Sequence, residues 1–473
     1  MIALAWRRLA AGAAPIVPLA GVAVNRAALF PVVPCWGGFS RTTISVYLPG
    51  TCGIGESIMN TLALAIVVAL VADFLLQSTA DYLNVRHSRL PVPRVLEGLY
   101  DTSTRDKAVQ HLAASTNVSL MERAVLLVAL LAFWFLGGFD YMDVVVRGYL
   151  PETVTRGLVY VGLLALGYGM LGIPFDAYRT FVVEQRFGLN RTTFRTFVSD
   201  RLKGVVVAAA IGTPLLAALL LLFTHMPDIA WLLCWVVVVL FSIGVQFVAP
   251  AIILPWFNRF EPMQDGGLRD AILDYARGVG FALEKVFVMD GSKRSTKGNA
   301  FFTGFGKHRR IALYDTLVES HPADEIVAVL AHEVGHYRRR HLLKGLALGA
   351  VHNGVLLFLL SLLLDQPALY ESFLISTPSV YAGLLCFSVL LSPLEVAISL
   401  ALNAVTRHHE FEADAFAVDT APDRLSLSNA LRRLSVGHLA NPNPHPVFVA
   451  VNYSHPPLAQ RLEAIEARAA AQP

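Results

Sequence analysis

Along the chain, apolar residues gather in runs too long to be the one-sided stripes of soluble helices. Seven runs reach the length of about 20 residues that a helix needs to cross a bilayer core about 30 Å thick. They are Ile58–Leu76, Leu120–Phe139, Gly157–Phe175, Gly204–Phe223, Ile229–Ala249, Lys344–Leu364 and Gly383–Asn403. Gly212, Pro214 and Pro393 fall inside runs, where neighbouring helices satisfy the freed backbone groups. Two other stretches, Pro250–Leu343 and Ala404–Pro473, mix polar and apolar residues as a water-exposed fold does. In the first, the spacing predicts a helix over Leu268–Val279 and strands at Val286–Asp290, Asn299–Thr303 and Arg310–Tyr314, with a turn at Gly304–Arg309. A further helix is expected from near Pro322, with Asp324 and Glu325 in its first turn and Arg338–Arg340 in its last, matching the helix dipole at both ends.

Composition turns this pattern into a class. Of 473 residues, 15% are charged and 55% hydrophobic, against about 25% charged in ordinary soluble proteins. Mean hydropathy is +0.55. A soluble fold of this size needs a charged exterior, so the chain is expected to be a mainly α, polytopic membrane protein of seven spans. Intrinsic disorder and a disulfide-stapled secreted fold are excluded as readings of the whole chain. A net charge of +3 is too balanced to suggest a nucleic-acid partner. Cys35, Cys52, Cys234 and Cys386 show no metal-ligand spacing and read as small hydrophobes, with a Cys35–Cys52 bridge as the alternative.

Basic residues set the orientation. Arg86, Arg89, Arg94, Arg105 and Lys107 follow the first span, and Arg179, Arg186, Arg191, Arg195, Arg201 and Lys203 follow the third. The second connection has only Arg147 and Arg156, and those after the fourth and sixth spans have no Lys or Arg. The positive-inside rule then puts the odd connections and the C-terminus in the cytoplasm and the N-terminus outside. The expected division is a tail at 1–55 without assigned function, a five-span unit at 56–249, and a unit at 250–473 interrupted by spans at 344–364 and 383–403.

The helix from Pro322 carries His332-Glu333-Val334-Gly335-His336. Positions four apart share a helix face, so both imidazoles can reach one metal ion with Glu333 beside them. Neutral imidazoles suit Zn²⁺, and a catalytic zinc takes three protein ligands plus water. A solvated surface helix is the competing reading, but Val327, Val329, Leu330, Ala331 and Val334 make this helix apolar on most sides. Buried ionisable groups need a partner or a metal. The third ligand is sought in His408-His409-Glu410-Phe411-Glu412-Ala413-Asp414, just past the seventh span. On a helix Glu410 and Asp414 share a face while Glu412 points away. Glu410 is therefore the expected ligand, with Asp414 holding the second nitrogen of His332. His408, His409 and Glu412 remain alternatives.

Taken together, His332–His336, Glu410–Asp414, Asn299–Gly304 and Ser454-His455-Pro456-Pro457 resemble the type 1 CAAX prenyl proteases, seven-span zinc endopeptidases of the gluzincin group. The resemblance runs from Ile58 to about Ala467. It takes in Glu184–Asn190, Pro255–Phe260, Asp290–Ser295 and Ser392-Pro393-Leu394-Glu395. It implies a gluzincin metallopeptidase domain on the cytoplasmic side, containing the small β-sheet and one Zn²⁺ per chain. His332, His336 and Glu410 would be its ligands, and Glu333 the general base and acid. It further implies that Asn299 and Ala300 pair with the substrate by strand addition, in agreement with an edge strand feeding the site. By the same resemblance, His455 and Arg461 contact the substrate or the developing oxyanion. Alternatives from the residues alone are a helix-start role for His455 and an ion pair with Glu463 or another carboxylate for Arg461.

The implied partners are the lipid bilayer and a peptide or protein, possibly lipidated at its C-terminus. A preference for Arg over Lys and abundant Ala indicate a bacterial member of the family, hence a bacterial inner membrane. A second enzymatic reading keeps the peptidase but assigns it quality-control cleavage of non-prenylated membrane proteins. A transporter or scaffold with a structural metal is disfavoured, because structural zinc sites favour Cys and no Cys lies near His332 in sequence.

Overall fold

The structure is a computed structural model that describes residues 60–303 and 309–471. The tail at 1–55, with Cys35 and Cys52, lies outside the described residues, as does most of the expected Gly304–Arg309 turn. Among the described residues, seven helices are long and apolar enough to cross a membrane. The five preceding the first polar block begin with α1 (Thr61–His87), α2 (Thr102–Phe135) and α3 (Thr153–Tyr178), and continue with α4 (Phe194–His225) and α5 (Ala230–Val248). Short polar side chains start most of them: Asn60, Asp101 and Thr193 accept from backbone N–H groups three residues on.

The Leu120–Phe139 run does not stay one helix. Gly137 has φ 74°, a left-handed turn that ends α2 and opens a separate helix at Gly138–Tyr149. At the other end α2 starts at Thr102, well before the apolar run, so polar and apolar sequence share one rod. Two π-helical turns, Arg179–Glu184 after α3 and Ala249–Ile253 after α5, carry the chain out of the bundle. Cys234 and Cys386 are buried free thiols, as the small-hydrophobe reading expects.

Three sequence motifs brace the bundle against the polar block. Arg294 donates to both carboxylate oxygens of Asp200 at 2.7 and 2.9 Å and to Asn258 Oδ1 at 2.6 Å. Asn190 forms a lone antiparallel bridge with Ser295. Glu184, in the first π turn, lies 3.2 Å from His111 and 3.4 Å from Lys297. The turn leading to Asn299 is thereby tied to the third connection between spans.

In the polar block, β1 (Phe260–Pro262), α6 (Gly267–Gly278), β2 (Leu283–Met289), β3 (Ala300–Thr303) and β4 (Arg309–Tyr314) follow in order. The sheet order is β1-β2-β4-β3, with β2 and β4 parallel and the other pairs antiparallel. β3 is therefore an edge strand. β1 was not expected, because three residues carrying Pro262 leave no alternation to read.

Beyond the sheet lies α7 (Ala323–Arg338), every residue of which from Glu325 to Gly335 is buried. Its apolar side chains share one core with Val286, Ile311 and Leu313 of the sheet, and with α10 (Ser426–Gly437) and α12 (Leu458–Ala470). Arg340, at φ 56°, turns the chain into α8 (His341–Leu363), the sixth membrane-length helix. The seventh, α9, is one unbroken helix of 41 residues, Val380–Thr420. The expected boundary at Asn403 separates apolar from polar sequence but interrupts no hydrogen-bond ladder. The polar half of α9 packs on α7, and α11 (Pro446–Asn452) packs beside both α9 and α1.

Gly335 makes the α7–α9 contact close. A Cβ there would lie 3.0 Å from both Cα and O of Ala413. Those backbone atoms can yield only if α9 shifts, and overpacking of this kind costs about 1–3 kcal/mol. Gly335→Val is expected to lower the melting temperature of the metal-free protein in detergent by about 2–10 °C. An unchanged melting curve would show that the two helices part without cost.

Candidate active site

The close approach of α7 and α9 brings together the side chains singled out from the sequence. His332 and His336, one turn apart on α7, point their Nε2 atoms at each other across 3.1 Å. From α9, Glu410 places Oε1 3.3 Å from His336 Nε2 and Oε2 3.5 Å from His332 Nε2. Ligands about 2.0–2.1 Å from one tetrahedral ion stand about 3.3–3.4 Å apart. The three groups therefore already hold the spacing of a shared metal.

Charge argues the same way. Three buried carboxylates, Glu333, Glu410 and Asp414, gather about one buried guanidinium, Arg461. When His332 and His336 give up their protons to bind metal, the carboxylates outnumber the guanidinium, and a divalent cation supplies the missing positive charge. Burial lowers the pKa of His332, but the Asp414 and Glu410 carboxylates outweigh it and raise it to about 9. The two carboxylates thus favour positive charge at this position, whether a ring proton or a bound cation. Glu410 Oε2, Glu333 Oε1 and His455 Nε2 are buried without a hydrogen-bond partner. The donor set thus fits zinc.

Each sequence expectation has a location. His332 Nδ1 stands 2.8 Å from Asp414 Oδ1, so Asp414 backs that imidazole. Glu333 is buried, and burial raises its carboxyl pKa above the usual range. His455, at the turn before α12, directs Nε2 to within 3.3 Å of Glu410 Oε1, while Nδ1 meets Ser454 Oγ at 2.9 Å. Burial holds its pKa down at about 4, so the ring is neutral at pH 7. Ala300 opens the edge strand β3, with Asn299 immediately before it; α7 packs against this strand, and Ala300 shares the apolar core with Ala331 and Val334.

Two placements bear on the alternatives that the residues alone left open. Arg461 was expected to face substrate or oxyanion. It is 2% exposed, donates Nε and Nη2 to Asp414 at 2.8 and 2.6 Å, and holds Nη1 3.7 Å from Glu410 Oε2. A buried Asp414 needs a counter-charge, and Arg461 supplies it in the two-pronged form that suits a carboxylate. The alternative third ligands also lie elsewhere. Glu412 accepts from His341 at 2.8 Å, His409 stacks on His341, and His408 is exposed. His341 itself was missed. It stands five residues after His336 with no helical face in common, so only the turn at Arg340 brings it near.

Comparison with known proteins gives concordant matches. Residues 81–259 match the family described as CAAX prenyl protease N-terminal, five membrane helices. Residues 262–469 match peptidase family M48. The CAAX prenyl protease 1 of Saccharomyces cerevisiae is 33% identical over 427 residues, covering 84% of this chain and 93% of the yeast protein. An Arabidopsis thaliana homologue is also 33% identical, over 85% of this chain and 96% of its own. The crystal structure of S. mikatae Ste24p superposes with a TM-score of 0.82 at 32% identity, over 86% of this chain and 99% of that one.

Removing one member of the buried Asp414–Arg461 pair strands the other, at a cost of about 3–5 kcal/mol. Asp414→Ala and Arg461→Ala should each lower the melting temperature of the metal-free protein sharply. The double variant Asp414→Leu/Arg461→Met should recover most of the loss. Additive losses in the double variant would contradict the pairing.

Proposed function

The chain belongs to the CAAX prenyl protease branch of peptidase family M48, and from that premise we propose which of its residues do the work. It is a membrane-embedded zinc metallopeptidase that hydrolyses peptide bonds. In our reading His332, His336 and Glu410 hold one zinc ion, supported by their mutual spacing of 3.1–3.5 Å. A zinc ion there supplies a Lewis acid for the scissile carbonyl and a lowered pKa for water.

The remaining chemistry belongs to the chain. Glu333 takes the proton of the attacking water and delivers it to the departing amine. Its burial suits both halves of the task, because a raised carboxyl pKa makes a stronger base and a usable acid. His455, kept neutral by burial, can accept at Nδ1 from the Ser454 hydroxyl and donate from Nε2 toward the negative charge that develops on the carbonyl oxygen. Asp414 fixes the tautomer of His332, and Arg461 fixes Asp414. The free edge of β3, beginning at Asn299 and Ala300, receives the substrate as an added strand.

We place the site on the cytoplasmic side, because the basic connections flank it, and in a bacterial inner membrane on the Arg- and Ala-rich composition. The substrate is a protein whose C-terminus carries a CAAX-type sequence, lipidated before cleavage. The CAAX prenyl protease relatives and the two family matches support this substrate and a five-span unit ahead of the peptidase unit. The single observation that carries the mechanism is the buried Glu333 carboxylate, with Oε1 unpartnered, next to His332.

Glu333→Gln should retain one equivalent of zinc by elemental analysis and lose about 10²–10⁴-fold in peptide cleavage. Retained turnover would sink the mechanism. His455→Phe should reduce kcat by about 10²–10³-fold with little change in zinc content. For the substrate, a farnesylated CAAX peptide should be cut faster than the same peptide unmodified. Equal rates would favour quality-control cleavage of non-prenylated proteins.

A further inference from the structure

The two histidines on α7 are backed by different partners, and only one partner was foreseen. His332 rests on Asp414 and, through it, on Arg461. His336 turns its Nδ1 to His341 Nδ1 at 2.9 Å, and His341 Nε2 meets Glu412 Oε2 at 2.8 Å. The His409 ring lies on the His341 ring with centroids 4.1 Å apart and planes 12° from parallel. His341 is itself buried, 7% exposed.

We infer that His341 is the positioning residue of the second zinc-ligating histidine, itself held by Glu412 and His409. The inference rests on the reading of His336 as a ligand. A histidine that binds metal through Nε2 carries its proton on Nδ1, which then needs an acceptor. His341 Nδ1 accepts it, and the proton on His341 Nε2 is donated to Glu412. The tautomers of three side chains are set in one direction, from the ligand outward. The turn at Arg340 makes this geometry, by bringing the first residue of α8 back beside the last turn of α7.

His341, His409 and Glu412 also lie close enough together to resemble a metal site of their own. The hydrogen bonds argue against that use. A cation on His341 Nε2 would move the ring proton to Nδ1, where it would face the Nδ1 proton of His336, donor against donor. One site excludes the other.

The test uses the full-length protein in detergent, with zinc affinity measured by competition against a chromogenic chelator. His341→Ala should weaken zinc binding by about 10–100-fold, the usual effect of losing such a partner. His341→Gln, whose amide oxygen can accept from His336 and whose amino group can donate to Glu412, should restore most of it. The metal-free melting temperature of the Gln variant should match wild type. If the Ala variant does not fold, Glu412→Ala carries the test, with a several-fold loss expected. Wild-type affinity in both His341→Ala and Glu412→Ala, with binding lost in His336→Ala, would overturn the inference and leave the ligand reading intact. Wild-type affinity in His336→Ala would overturn both. A second equivalent of zinc, bound by wild type and lost in His409→Ala, would overturn the positioning role in favour of a second metal site.

Discussion

Gly335 has no side chain, and through the gap it leaves α7 approaches the backbone of α9 at Ala413. The ligand set depends on that contact. His332 and His336 lie on either side of Gly335 along α7, while Glu410 and Asp414 flank Ala413 along α9. Each helix presents one turn of side chains to the other, and the crossing point is the centre of the site. Around it, the apolar faces of α10, α12 and the sheet enclose α7 on nearly every side. A helix carrying two histidines and a glutamate is buried this completely with its imidazoles facing carboxylates and a place for a cation, while Glu333 Oε1 is left without a hydrogen-bond partner.

Burial in turn sets the electrostatics. Glu333 is pushed toward its protonated form and His455 toward neutrality by the same loss of water, and the two lie close to one carboxylate, Glu410. Outside them sits a ring of hydrogen-bonded pairs. Asp414 with Arg461 backs one imidazole, and Glu412 with His341 backs the other. The inner groups are tuned by dehydration and the outer ones by pairing, so the two layers respond to substitution in different ways.

Much of this was legible in the residues. Among the described residues, the apolar runs located the seven helices long and apolar enough to cross a membrane, because twenty consecutive apolar positions have few other uses. Helical spacing alone placed Glu410 and Asp414 on one face and turned Glu412 away, and α9 is helical through that segment. What stayed hidden depended on tertiary contact. The partner of Arg461 is Asp414, 47 residues earlier, rather than the neighbouring Glu463. The role of His341 requires a left-handed Arg340, which no local pattern announces. The end of the seventh apolar run marks the end of hydrophobicity, and the helix runs on past it to Thr420. Hydrophobic pattern reports solvent, whereas helix continuity is a matter of backbone hydrogen bonds.

That unbroken helix has a mechanical consequence. From Pro393, inside the apolar half, to Glu410 the rod is about 25 Å long at about 1.5 Å per residue. With no hinge between them, a tilt of only about 2° at Pro393 carries the Glu410 carboxylate through about 1 Å, a displacement large enough to cost about 10²-fold in a positioned reaction. His352 on α8 meets Glu395 of the same rod at 3.1 Å, two residues beyond that proline, and steadies its lower end. The packing of the spans therefore sets the aim of the site, and the bilayer that confines them serves as the bench on which a water-soluble reaction is aligned.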